Sequence, residues 1–209
     1  MTYTASEYLD NVEPDLADTE LESYSGGEAT ADSRDPLEKL ARALLIEIGE
    51  DPDREGLRDT PARYARWWRE FVSYDAGTIE TTFDAVTSDQ LIQVSGIRVW
   101  SLCEHHLLPF WCDVSIAYIA HQRIVGLSKF ARIAHDHAHR LQVQERLTSG
   151  IADSVTAVSG SPDVAVLANG EHLCMTIRGI RTAAKMQTSV LRGAFQTDTG
   201  MRARLVSMP

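Results

Sequence analysis

The sequence predicts an α+β fold with a mostly antiparallel sheet, and three observations carry that reading. Segments of strand character bracket a pair of helices, which suits a sheet with helices packed against it. Within 113–118, Val114, Ile116 and Tyr118 alternate with Asp113, Ser115 and Ala117, the period of a strand with one buried face. Near the start, Leu37, Leu40, Ala41, Leu44, Leu45 and Ile48 follow helical spacing instead. With 209 residues, 44% of them apolar, the chain is long enough to bury a proper core.

Each element has its own signal. Residues 1–34 are acidic, hold turn formers such as Ser25-Gly26-Gly27 and show no apolar period, so a disordered tail is expected there. Asp35 can cap a helix with Pro36 in its first turn and Glu38 at the capping-box position, and Gly49 can end it. After a polar loop over 51–56, Thr60-Pro61 opens a second helix to about Val72, with Trp67, Trp68 and Phe71 for burial. Residues 35–78 thus form a helical region, and 79–209 the main domain. There, 91–94 and 97–102 read as extended. Ser128 can cap a helix to about Arg140. Val143, Leu147, Ile151 and Val155 mark another helix that ends near Gly160. Strands are expected at 164–168, 172–178 and 188–195, then a short helix after Asp198.

Charge narrows the function. The net charge is −10, and residues 1–35 hold ten acids against one base, Arg34. The rest of the chain is almost neutral, which argues against a generic nucleic-acid surface. An anionic ligand would need a local cluster of Lys and Arg. No apolar run approaches the roughly 20 residues of a membrane span, and the first residues lack the pattern of a secretory signal. Three Cys make no disulfide framework. A cytoplasmic protein with reduced thiols is expected.

The densest chemistry lies in Cys103-Glu104-His105-His106-Leu107-Leu108-Pro109. Cys103 and His106 have the two-residue gap that lets a turn bring sulfur and nitrogen onto one ion. In His172-Leu173-Cys174-Met175, read as a strand, His172 and Cys174 would face the same way. If Cys103, His106 and Cys174 bind zinc, three protein ligands leave a fourth position open, as in catalytic sites. Short Cys/His spacings also arise by chance, and free Cys is often plain core. Cys112 is a fourth candidate ligand, or simply a buried thiol. Gly126-Leu127-Ser128-Lys129 sets a helix N-terminus beside a Lys, which can hold an anion or merely cap the helix. In Gln142-Val143-Gln144-Glu145-Arg146, an amide and a carboxylate could read the polar edge of a base, or solvate a helix end.

Taken in order, residues 101–110, Gly126-Leu127-Ser128-Lys129, residues 140–148, and His172-Leu173-Cys174-Met175 with Arg178-Gly179 closely resemble the type I, zinc-dependent GTP cyclohydrolases. Residues 51–56 and Thr60-Pro61-Ala62-Arg63 resemble that family's helical region, so the likeness runs from about residue 36 to about 205. The resemblance implies a tunnelling fold, an antiparallel sheet with two helices on one side. It also implies a ring-forming homo-oligomer, typically a decamer of two stacked pentamers. The implied activity opens the imidazole ring of GTP, releases C8 as formate and forms 7,8-dihydroneopterin triphosphate. The family's zinc ligands fall on Cys103, His106 and Cys174, and its acid/base histidines on His105 and His172. Its base-anchoring carboxylate falls on Glu145, with Gln144 beside it. Ser128, Lys129, Arg132 and Arg178 fall on positions lining the ribose-triphosphate region. Arg63 and Arg66 match basic positions that reach phosphate from a neighbouring subunit. Departures stand at Ser115, often His in the family, at Ala120, often Pro, and at Asn169, often Glu. Residues 183–187 lack the usual Ser/Thr-rich composition.

Two other classes compete. A nitrile reductase of the same fold group would use a Cys nucleophile and NADPH, and the paired metal motifs argue against it. A zinc-bound assembly module without activity would have no use for His105 and His172 beside the ligands.

Overall fold

The computed structural model describes residues 35–85 and 88–206, so the tail expected at 1–34 lies outside the described residues. The described part forms two compact units divided between Val72 and Ser73.

The first unit is a helix pair, α1 (Pro36–Glu47) and α2 (Thr60–Val72). Asp35 caps α1 as its sequence suggests, accepting from the Leu37 N–H at 2.9 Å. Burial opposes ionisation of Asp35, but the Arg69 guanidinium and the Leu37 N–H hold its carboxyl below the usual range. The helices are buried through small side chains, Ala41 and Ala43 on one and Ala62 and Ala65 on the other. This corrects the expected apolar faces. Leu40, Leu44, Ile48 and Trp67 remain exposed, while Glu38, Ala41 and Ala43 take the buried positions of α1 and Pro61, Ala62 and Ala65 those of α2. Trp67 instead joins a ring ladder with Tyr64, Trp68 and Phe71, at centroid spacings of 5.0–6.1 Å.

The second unit is built on a five-stranded sheet. Its strands are β2 (Gln90–Cys103), β3 (Pro109–Ala120), β5 (Leu141–Gln142), β6 (Val164–His172) and β7 (Lys185–Leu191), in the order β5-β2-β3-β6-β7. Every pairing is antiparallel except the short parallel one between β2 and β5. A two-stranded ladder joins β1 (Thr82–Asp84) to β4 (Arg123–Val125). The segments expected at 91–94 and 97–102 are one strand with a register shift between Val94 and Ile97. Gly96 sits in that shift at φ 74, a conformation other residues rarely adopt.

Two helices, α3 (Leu127–Ala138) and α4 (Gln144–Ser159), cover one face. One core cluster joins Phe130 and Ile133 of α3, Leu147, Ile151 and Val155 of α4, and Val114, Ile116 and Tyr118 of β3. The alternation read in β3 is therefore real. Ala117, from the other parity, is buried too, because Phe195 of a short helix, α6 (Ala194–Thr197), packs with it and Ala165 on the opposite face. The expected strand at 188–195 ends at Leu191 for the same reason: the chain turns at Gly193 into α6. A last helix, α7 (Thr199–Val206), follows Asp198. No helix among the described residues is long and apolar enough to cross a membrane.

Candidate active site

The site starts at the hairpin between β2 and β3. The Leu107 N–H donates to Cys103 O at 2.8 Å, and the Cys103 N–H donates to Leu108 O at 2.9 Å. Leu107 takes φ 56, a left-handed conformation that costs a β-carbon residue roughly 1–2 kcal/mol. The turn buries Cys103 and leaves Glu104, His105 and His106 exposed. Glu104 ties it to α4 through both oxygens, which accept from Arg146 at 2.6 and 3.1 Å. That guanidinium holds the Glu104 carboxyl below its usual range.

The second contribution comes from the end of β6. The strand expected over 172–178 stops at His172, and Leu173–Thr176 forms a single helical turn, α5. Local bonds explain the change: the Ile177 N–H donates to Leu173 O, and the Thr176 hydroxyl donates to His172 O. The parity argument for His172 and Cys174 therefore fails. The helical turn nevertheless brings Cys174 to the hairpin. Ligand atoms of Cys103, His106 and Cys174 lie within 4.8 Å of one another. Burial pushes the Cys174 thiol up to about 11, and the Cys103 sulfur beside it adds to the shift. A cation held between two thiols favours their thiolate forms, and a thiolate pair with one imidazole is a zinc-type donor set. The residues present fit that ion. Cys112 stands apart from this group as a core thiol on β3, pushed up to about 12 by burial.

His172 is held on two sides. Its ring stacks on Phe110 at 4.4 Å between centroids, and its Nε2 lies 2.9 Å from Gln144 Oε1. Burial lowers the His172 pKa, and the charge of nearby Glu145 opposes that shift. His105 is held more loosely, with Nδ1 3.8 Å from Cys103 Sγ.

The expected binding residues divide into groups. Arg178 meets His106 Nε2 and so reaches the metal-type cluster directly. Glu145, in the first turn of α4, is exposed next to the buried Gln144. Lys129 and Arg132 instead donate to the backbone of the segment before β1, at Thr78 O (2.6 Å) and Ala76 O (2.5 Å). Ser128 is exposed and caps nothing, because Gly126 is the N-cap of α3. Arg63 and Arg66 are exposed on α2 of the first unit, with Arg63 3.5 Å from Asp59. Sequence reasoning gave no role to Phe110, nor to Arg146 as the partner of Glu104. No local spacing could have shown either pair, since Phe110 and His172 meet through strand register and Glu104 and Arg146 stand 42 residues apart.

This arrangement can hold a borderline-soft divalent ion and move protons beside it. The profile of the family described as GTP cyclohydrolase I matches residues 37–208. A protein named GTP cyclohydrolase 1 from Hyperthermus butylicus is 45% identical over 166 residues, covering 79% of this chain and 86% of that one. One of the same name from Deinococcus radiodurans is 44% identical over 182 residues, 84% of each chain. Another, from Mycobacterium marinum, is 43% identical over 199 residues, 91% of this chain and 98% of its own. The chain belongs to the GTP cyclohydrolase I family and is an enzyme of that type.

Proposed function

We propose that this chain hydrolyses the imidazole ring of GTP at C8, releasing formate, and recloses the skeleton with loss of water as 7,8-dihydroneopterin triphosphate, with zinc held by Cys103, His106 and Cys174. The observation that carries this reading is the convergence of those three ligand atoms beside His172 in a chain of this family. Bound zinc supplies the Lewis acidity that makes water a nucleophile near neutral pH.

The remaining work belongs to side chains. Both C–N bonds to C8 must break, and each ring nitrogen must gain a proton as it leaves. His105 and His172 are the groups that deliver and collect those protons, since an imidazole titrates near neutral pH. Glu145 accepts from the N–H edge of guanine. An adenine would leave that carboxylate without its donors, so the base is selected by the cost of an unpaired charge. Arg178, Lys129 and Arg132 supply cations for the triphosphate, with Ser128 at the ribose. For Lys129 and Arg132 this requires release from the 76–78 carbonyls.

The quaternary reading follows the family resemblance: a tunnelling-fold ring, a decamer of two pentamers, in the cytoplasm. Arg63 and Arg66 then act on the phosphates bound by a neighbouring subunit. Mixed rings test this. An Arg63→Ala/Arg66→Ala chain and a His172→Ala chain, each inactive alone, should recover part of the activity when co-expressed. Mixed rings as inactive as either parent sink the shared site. For the reaction itself, purified protein is incubated with GTP. Formate and, after oxidation, a fluorescent pterin are the expected products. Intact GTP in the presence of bound zinc overturns the assignment.

A further inference from the structure

Gln144 stands beside the proposed base-anchoring carboxylate, yet its side chain is 0% exposed. Every polar atom of that side chain is engaged inside the protein. Nε2 donates to Ala168 O and Met186 O, both at 3.0 Å, and approaches Thr188 Oγ1 at 3.2 Å. Oε1 lies 2.9 Å from His172 Nε2.

The orientation of the amide follows from its partners. Two of the three groups around Nε2 are carbonyl oxygens, which only accept. A flipped amide would set its oxygen against both. The hydroxyls agree. Thr148 spends its one proton on Gln144 O at 2.7 Å, so Thr188, 2.6 Å from Thr148 Oγ1, must donate to Thr148. That leaves a lone pair on Thr188 Oγ1 facing Nε2, whose two hydrogens are shared among three acceptors, with the two carbonyls taking the shorter bonds.

With the amide fixed, the imidazole is fixed as well. Oε1 can only accept, so His172 Nε2 carries a hydrogen, and Nδ1 is the lone-pair nitrogen of the neutral ring. Phe110 stacks on the ring at an interplanar angle of 7° and restrains its tilt. Gly170 makes room for this geometry. A β-carbon there would lie 2.6 Å from Cys112 Sγ and 2.9 Å from Gln144 Oε1, and would also strike Trp111 O.

We propose that Gln144 is a positioning residue: it fixes the tautomer and orientation of His172, so that Nδ1 exchanges protons with substrate, and it does not read the guanine base. This rests on the proposed reaction, in which His172 handles protons.

The test uses the zinc-loaded enzyme and two variants, Gln144→Met and Thr188→Val. For Gln144→Met, kcat for GTP is expected to fall about 10- to 100-fold, the usual cost of losing an orienting partner. KM should stay within about twofold. The preference for GTP over inosine triphosphate, which lacks the 2-amino group, should be unchanged. Thr188→Val loosens the amide with a side chain of similar volume, and a smaller fall in kcat at constant KM is expected. It carries the test if Gln144→Met does not fold. A raised KM with kcat retained, or a changed GTP-to-inosine-triphosphate preference, makes Gln144 a reader of the base and overturns the proposal. A crystal structure of whichever variant folds gives a readout independent of turnover. Split or rotated density for the His172 ring is expected, and a single unmoved ring overturns the proposal. Wild-type enzyme with zinc but no turnover of GTP would fail the proposed reaction instead, and the His172 density then decides the positioning role alone.

Discussion

Strands β3 and β6 run side by side between two histidines in opposite surroundings. At one end Phe110 pairs with His172, whose ring meets a phenyl face and a neutral amide. At the other end His121, just after β3, is gripped by two carboxylates, Asp89 at 2.6 Å and Asp163 at 2.8 Å. Burial holds the first histidine below its ordinary pKa. The hydrogen bond to Asp163, with Asp89 second, raises the other. The surroundings of one imidazole disfavour its cation, and those of the other favour it. Asp163 also accepts from the Ala194 N–H at 2.6 Å, so the charged end fastens α6 to the start of β6.

The largest effect should come from breaking the His172 end at the three proposed metal ligands. Cys174→Ala leaves a thiol and an imidazole, too few donors for a stable site. Metal analysis should show zinc lost, and GTP turnover should drop to background. The hydrogen bonds at His121 do not touch this group, so the fold should persist by circular dichroism. Full zinc retention in the variant would remove Cys174 from the ligand set.

A smaller effect should come from Glu145→Gln. An amide both donates and accepts, so it cannot receive two N–H donors as a carboxylate does. The expected loss is about 10- to 100-fold in kcat/KM for GTP, the worth of one or two charge-assisted hydrogen bonds. Zinc content should not change. Unaltered kcat/KM would take Glu145 out of the site. Together with Cys174→Ala, this separates a residue that binds substrate from one that holds the ion.

The two ends also differ in how far the sequence revealed them. The hairpin that carries Cys103 and His106 was legible because its ligand spacing is local. Cys174 was legible through the family resemblance, while the strand parity offered for it fails. A four-residue helix is too short to show a period, and its residues, Leu173 to Thr176, sit equally well in a strand pattern. The α4 face was legible because 16 residues give several turns of period, whereas α3 was expected from a Ser128 cap that Gly126 takes instead. On α1 the period was right and the burial wrong, since Ala43 rather than Leu44 is covered, and hydrophobicity alone ranks them the other way. The His121 clasp joins residues 32 and 42 positions apart, so only the fold discloses it.

The smallest expected effect tests the charged end. A histidine whose folded pKa is raised binds its proton more tightly in the native state than in the unfolded chain. Its contribution is therefore full below the unfolded pKa, about 6.5, and is lost as pH rises through the folded value. The ring is 39% exposed, so solvent screens the interaction and the gain is modest. His121→Gln keeps a hydrogen-bonding side chain without the titratable charge. Chemical denaturation at about pH 6 and at a pH above the raised value should show the wild type ahead of the variant at the lower pH. The gap should narrow at the higher pH, and added salt should narrow it at pH 6. A gap of equal size at both pH values would mean that the clasp works by shape rather than charge. The contrast between the two histidines would then lie in their packing alone.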